Sequence, residues 1–264
     1  MLVDLVGSVG HRVRRASAAA VGSLRALGAL IRAGVSMPHS VRRESMGALA
    51  RQIRYTAWDS LPIVCGVAVL CGVIIIAEVN AQATRFGLAD SVARVVAVAG
   101  VRDVGPALTA LIVAGCSGTA IAAELATARA LGETDALDAL GVDLLQYYVL
   151  PRVAGLAIAT AALTLIFDAV TLGAGLVTAQ VMEQMAASDY LTAVHNALRV
   201  ADVWEAIARG MVAGTAIAAL SSLAGLVAHP TPSAIPRSAR RAMIWSTVAV
   251  FAVATVGSYL RLIL

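Results

Sequence analysis

Residues 102–124 read RDVGPALTALIVAGCSGTAIAAE, and the fold of the whole chain turns on this stretch. An Arg-Asp pair opens it, and no further charge occurs until Glu124. Ala107, Ala110, Ala114, Gly118 and Ala122 recur every three or four positions, which places them along one side of a helix. Lipid gives helices no hydrophobic reason to associate, so small residues at this spacing matter because they let two backbones approach. Gly105, Pro106, Gly115 and Gly118 are therefore expected at helix packing contacts, building a site rather than touching cargo. Arg102 and Asp103 are different. Charges beside a span persist in protein-lined or wet places, which leaves two readings open, a structural ion pair and a polar rim facing cargo.

The surrounding chain has the same character. Its 264 residues are 59% hydrophobic and 14% charged, with a mean hydropathy of +0.84, which excludes an ordinary soluble domain. A crossing takes about 20 apolar residues, and five segments qualify: 61–81, 104–127, 147–182, 203–228 and 242–264. The third is longer than one crossing and contains Pro151, Asp168, Gly173 and Gly175, which predicts a tilted, broken or re-entrant helix.

All 20 basic residues are arginine, and nine of them lie in residues 1–54 against only Asp4 and Glu44. Anionic headgroups and the positive-inside rule hold such a segment on the cytoplasmic side. A helix over 11–35 would gather Arg14, Arg25 and Arg32 within about 40° of one another, with Leu24, Leu27 and Ile31 on another face. That predicts an interfacial amphipathic helix, with a solvated basic helix as the alternative. Met37-Pro38-His39-Ser40 then breaks it. No cleavable leader is expected, because Arg25 and Arg32 interrupt the only early apolar run.

Five crossings from a cytoplasmic N-terminus leave the C-terminus periplasmic, with 128–146 and 229–241 inside and 82–91 and 183–202 outside. Arg237, Arg240 and Arg241 fall inside as the rule requires, whereas Arg199 and Arg209 fall near the outer face, against it. The expected architecture is an all-α integral membrane protein forming one domain over 1–264. A basic region, 1–54, precedes a transmembrane region, 61–264, and a short cytoplasmic helix interrupts the spans.

Few residues carry chemistry. Cys65, Cys71 and Cys116 sit in apolar runs and are expected as small core residues, not as a disulfide or metal site. Glu78 and Asn80 end the first span, where snorkelling and a place in a lipid path explain them equally, and Asp168 predicts a hydrated or paired interior position. Residues 184–202 predict a short surface helix with Ser188, Asp189, Tyr190, His195, Asn196 and Arg199. In the loop 128–143, Leu131, Leu137 and Leu140 alternate with Glu133, Asp135 and Asp138, which predicts an amphipathic helix able to dock a soluble partner, or else a solvated connector. The chain has no lysine, so it cannot supply the usual phosphate-loop lysine. Nucleic-acid binding does not fit the apolar bulk behind the basic segment. An intramembrane lipid enzyme would have only Asp168, Asp189 and His195, at spacings that match no metal or triad pattern.

The runs GPALTALIVAG (105–115), SGTAIAAELATAR (117–129), DAL (135–137), GVD (141–143) and VLPR (149–152) resemble the MlaE/YrbE family of ABC-transporter permeases. Softer likeness extends through LVGSVGHRVRR (5–15), LARQIRY (49–55) and SAIPRSARRAM (233–243). The resemblance implies a lipid permease in a bacterial inner membrane, paired as a homodimer or with a paralogue around a lipid cavity. It also implies a cytoplasmic ATPase that binds the ATP, an MCE-domain protein outside, and in some systems a small STAS-type subunit. No cofactor is implied for the permease itself, and it is not an enzyme. By the same resemblance Arg129, Glu133, Asp135, Asp138 and Asp143 fall on the ATPase-coupling segment, and Ile75, Glu78, Asp103 and Val104 near the lipid path. The chain departs from the family in two places. Leu131-Gly132-Glu133 replaces a Thr-Glu-Gln triplet, where Gly132 lowers helix propensity by about 1 kcal/mol relative to Ala, and Cys116 stands where Arg often follows Gly115. A non-transporting scaffold for the ATPase and MCE protein is the alternative function.

Overall fold

A computed structural model describes residues 39–86, 103–183 and 186–263, and among these every regular element is helical. The interfacial helix expected over 11–35 lies outside the described residues. Five of the described helices are long and apolar enough to cross a membrane: Gln52–Glu78, Gly105–Ala130, Tyr147–Val181, Val200–Leu226 and Pro232–Tyr259. The chain is a multi-pass membrane protein.

Helix α1, His39–Phe86, begins directly after Pro38 and runs for 48 residues, so the basic residues 39–54 belong to the same helix as the first span. Charge ends an apolar run without ending a helix, because arginine is a good helix former. Helix α2, Gly105–Ala130, opens with Pro106, whose missing N–H costs nothing in a first turn. It contains a π-helical turn at Ala114–Gly118. There the Thr119 hydroxyl donates to the carbonyls of Gly115 (2.5 Å) and Cys116 (3.1 Å).

Gly132 follows the end of α2 with φ +77°, a left-handed turn that glycine adopts without strain. It therefore stops a helix rather than weakening the interior of one, as the propensity argument had assumed. Helix α3 is Glu133–Ala139, and a π-helical turn at Leu145–Val149 leads into α4, Leu150–Glu183. The expectation that the third span is broken or re-entrant is overturned. At 34 residues α4 is one uninterrupted helix about 51 Å long. Gly173 lies within it facing open space, and Gly175 serves as a packing site. Helix α5, Ala187–Ala197, is followed by α6, Val200–Leu226, and α7, Ile235–Ile263.

Helices α4 and α6 form the centre. The most apolar windows of the spans containing them are each 56% buried, against 50% for the α2 span and 22% and 17% for those of α1 and α7. Gly210 and Gly214 of α6 explain the central contact. A β-carbon at Gly214 would lie 2.6 Å from the Leu156 carbonyl oxygen, and one at Gly210 would lie 2.9 Å from the Ala161 α-carbon. Thus α6 crosses α4 antiparallel at backbone contact, a glycine pair the sequence reading did not single out. Parallel to α4 runs α1, since Gly72 meets Thr171 and Gly175 meets Ile76. Phe167, Leu125, Leu156, Leu163 and Ile217 fill the spaces between.

A buried arginine cluster and an exposed acidic helix

Arg209 lies one residue before Gly210 on α6, only 8% exposed. Its Nη1 stands 2.5 Å from Asp103 Oδ1, and its Nη2 stands 2.6 Å from Glu205 Oε1 one turn earlier on the same helix. The Ser258 hydroxyl of α7 donates to the same Asp103 oxygen at 3.1 Å. Gly257 makes room for the guanidinium, whose Nε would lie 2.9 Å from a β-carbon there. One cation therefore ties the start of α2 to α6 and α7. A guanidinium removed from water at this depth costs several kcal/mol unless charged partners accompany it. The carboxylate side chains are 38% and 31% exposed, so the cluster is driest at its cationic centre.

Of the two readings of Asp103, the ion pair forms, but with a residue 106 positions away. Arg102 lies outside the described residues. Arg209 is also no loop charge, which removes it from the residues set against the positive-inside rule. Across Gly105 lies Asp168, whose Oδ1 is buried without a hydrogen-bond partner and would collide with a β-carbon at Gly105. Gly105 and Pro106 are buried, and Gly118 packs on α6, where a β-carbon would stand 3.0 Å from Ser221 Oγ. Gly115 has nothing within 4 Å of a β-carbon position. Val104 is exposed, while Ile75, half-buried, and Glu78, exposed, lie on α1 near the level of Gly175.

The opposite end of the bundle carries its charge outward. Glu133 and Asp135 occupy the first turn of α3, where the helix dipole favours anions, and both are exposed together with Asp138. Leu131 and Leu140 fall in the flanking turns, 70% and 77% exposed, and Leu137 is half-buried. The expected apolar-backed helix is corrected accordingly. Gly132 and Gly141, both at positive φ, cut it to 7 residues, and two leucines remain on the surface beside the acids.

Arg129 does not join that surface. Its Nη1 donates to the Leu226 carbonyl at the C-terminal end of α6, where a cation suits the helix dipole. The Asp143 carboxylate accepts from the Leu145 backbone N–H at 2.9 Å, capping the turn that enters α4. Arg152 reaches Glu124 at 2.8 Å and donates to the Tyr148 carbonyl at 3.0 Å, joining α4 to α2. Both residues of that bridge were visible in the sequence motifs, but nothing in their spacing announced the contact.

On α5, Ser188, Asp189, His195 and Asn196 are exposed. The Tyr190 hydroxyl donates to the Leu172 carbonyl at 3.1 Å, and burial pushes the phenol's pKa up. Asp168 is half-buried on α4, with its Oδ1 enclosed, while Asp189 and His195 face outward, so the three do not converge into a catalytic group. Cys65, Cys71 and Cys116 are half-buried.

The sequence profile described as Permease MlaE matches residues 49–260. A probable ABC transporter permease protein of Rickettsia felis is 28% identical over 250 residues, covering 95% of both chains. One of Synechocystis is 27% identical over 200 residues, 76% of both. The protein Trigalactosyldiacylglycerol 1, chloroplastic, of Arabidopsis thaliana is 28% identical over 201 residues, 76% of this chain and 57% of that one. A profile that runs through every span, from within α1 to near the end of α7, places this chain in the MlaE family of ABC transporter permeases.

Proposed function

We propose that this permease moves a lipid across a bacterial inner membrane, driven by ATP bound on a separate cytoplasmic ABC ATPase. The observation that carries this reading is the uneven burial of the spans. The α1 and α7 spans are 22% and 17% buried and present Leu70, Ile74, Ile244, Val248 and Phe251 outward. Such faces suit a second copy of the chain, or a paralogue, enclosing an apolar path for acyl chains. Asp103 and Glu78 supply charge near its mouth, and Ile75 and Val104 supply apolar lining. The name of the Arabidopsis relative contains a glycerolipid, which favours lipid as cargo. An MCE-domain protein is the expected periplasmic partner, and a small STAS-type subunit a further cytoplasmic one. The N-terminus is cytoplasmic and the C-terminus periplasmic in this arrangement.

The coupling surface is α3 with its exposed Glu133, Asp135 and Asp138. Pressure on α3 reaches α2 directly, and reaches α6 because Arg129, at the root of α3, holds the end of α6. Asp143 keeps the far side of the loop attached to α4. The ATPase would thus move three spans through one short helix. The triple variant Glu133→Lys, Asp135→Lys, Asp138→Lys tests this in the assembled complex. Loss of ATPase co-purification and of lipid transfer between vesicles is expected. Retention of both would overturn the coupling role, and retained ATPase binding in wild-type complexes that transfer no lipid would favour a scaffold.

A further inference from the structure

The elbow between α6 and α7 carries a second feature that neither coupling nor the apolar path explains. A cavity of about 250 Å³ lies there, with Ala224 of α6 and Ala228 just beyond it on one side and His229, Thr231, Arg237, Ser238 and Arg241 on the other. Ligand pockets usually measure about 300–1,000 Å³. This one has the size of a headgroup rather than of a whole lipid.

Its charge is one-sided. Arg237, Arg240 and Arg241 lie in the first two turns of α7, and no acid occupies the first turn. A helix N-terminus already bears positive partial charge, and cations there are unfavourable unless an anion joins them. Among the described residues none of the three arginines has an ion-pair partner. The contrast with Arg209, which has two carboxylates, shows that this chain supplies partners where an arginine is buried. At the elbow the described residues supply no such partner, which leaves the guanidinium groups open to an anion from elsewhere.

The level of the cavity indicates its source. Arg237, Arg241, Ile244, Val248 and Phe251 lie within about 40° of a common line along α7. The last three are exposed apolar residues, and Trp245, a residue type of membrane–water boundaries, follows Arg241 by about 6 Å of helix rise. The stripe thus passes from guanidinium groups to exposed apolar side chains at the depth of the hydrocarbon within about one turn. That is the level of lipid phosphates. Arginine binds phosphate oxygens with two parallel N–H donors, and Thr231 and the His229 ring offer further donors.

We propose that the α6–α7 elbow is a binding site for the phosphate of an anionic phospholipid, held by Arg237 and Arg241. The site requires that the chain span a membrane, but it does not depend on ATPase coupling or on lipid transfer. Soluble phosphate compounds share the recognised chemistry, so the test separates the two sources. The full-length protein in detergent is titrated with phosphatidylglycerol, phosphatidylcholine and inorganic phosphate, and bound lipid is read by native mass spectrometry.

Saturable phosphatidylglycerol binding is expected, undisturbed by millimolar phosphate and at least tenfold tighter than phosphatidylcholine. Arg237→Gln with Arg241→Gln should weaken it at least tenfold, while Arg54→Gln, an exposed arginine of α1, should not. Ala224→Leu, which fills the cavity without touching charge, should weaken it as well and covers the case in which the double variant fails to fold. Three results overturn the site: phosphatidylglycerol binding unchanged in both cavity variants, displacement by millimolar phosphate, or equal affinity for phosphatidylcholine.

Discussion

Arg209 and Arg241 sit on neighbouring helices and differ in every respect except residue type. Arg209 is buried and meets Asp103 and Glu205, whereas Arg241 is exposed and has no acid beside it among the described residues. The same division separates the acids, since Asp103 is held in place by Arg209 and Ser258 while Glu133, Asp135 and Asp138 stand on the surface. Where water is scarce, desolvation forces a charge to find a fixed internal partner, and it then serves architecture. Where water is present no such demand exists, and the charge stays available to another molecule.

Substitutions can break this contrast, and the largest effect is expected at its buried pole. Arg209→Met leaves Asp103 and Glu205 without their cation and should cost about 3 kcal/mol, at the low end for buried pairs because both acids are partly exposed. Thermal unfolding in nanodiscs measures this, and an unchanged midpoint would mean that the cluster does not hold α2, α6 and α7 together. Asp143→Ala should cost about 1 kcal/mol through loss of the Leu145 cap. Asp143→Asn, which keeps an acceptor oxygen, should recover most of that in the same assay. The smallest effect belongs to the exposed pole. The triple lysine variant of α3 should lower stability by less than about 1 kcal/mol, the part owed to the lost anions of its first turn, while abolishing ATPase association. A large loss of stability there would remove the distinction between the two ends.

Much of the architecture was legible because lipid demands long apolar runs, and a run of that length has few other uses. The third span shows how close this comes, with 147–182 expected and Tyr147–Val181 observed. The ends were less legible for an identifiable reason. Arg51 and Arg54 interrupt the hydropathy of the first span, and Arg237, Arg240 and Arg241 that of the last, yet the helices continue through them. The partner of Asp103 was beyond reach, since sequence spacing reports neighbours one turn away and Arg209 arrives by the packing of α6. Glycines were misread in both directions. Gly173 and Gly175 suggested a break that does not exist, Gly132 suggested a weakened helix where it ends one, and Gly210 and Gly214 drew no attention at the central backbone crossing of the core.

The π-helical turn at Ala114–Gly118 has a consequence for how this span tolerates changes in chain length. Such a turn accommodates one residue more than the regular helix would, without altering the direction in which the flanking segments face. Deleting a residue elsewhere in α2 would rotate everything beyond it by about 100° and carry Gly118 away from Ser221, or Gly105 away from Asp168. Deleting one within 114–118 would instead restore a regular helix and leave both contacts in place. An insertion or deletion separating this chain from a relative is therefore absorbed most easily between its second-span glycines, Gly115 and Gly118.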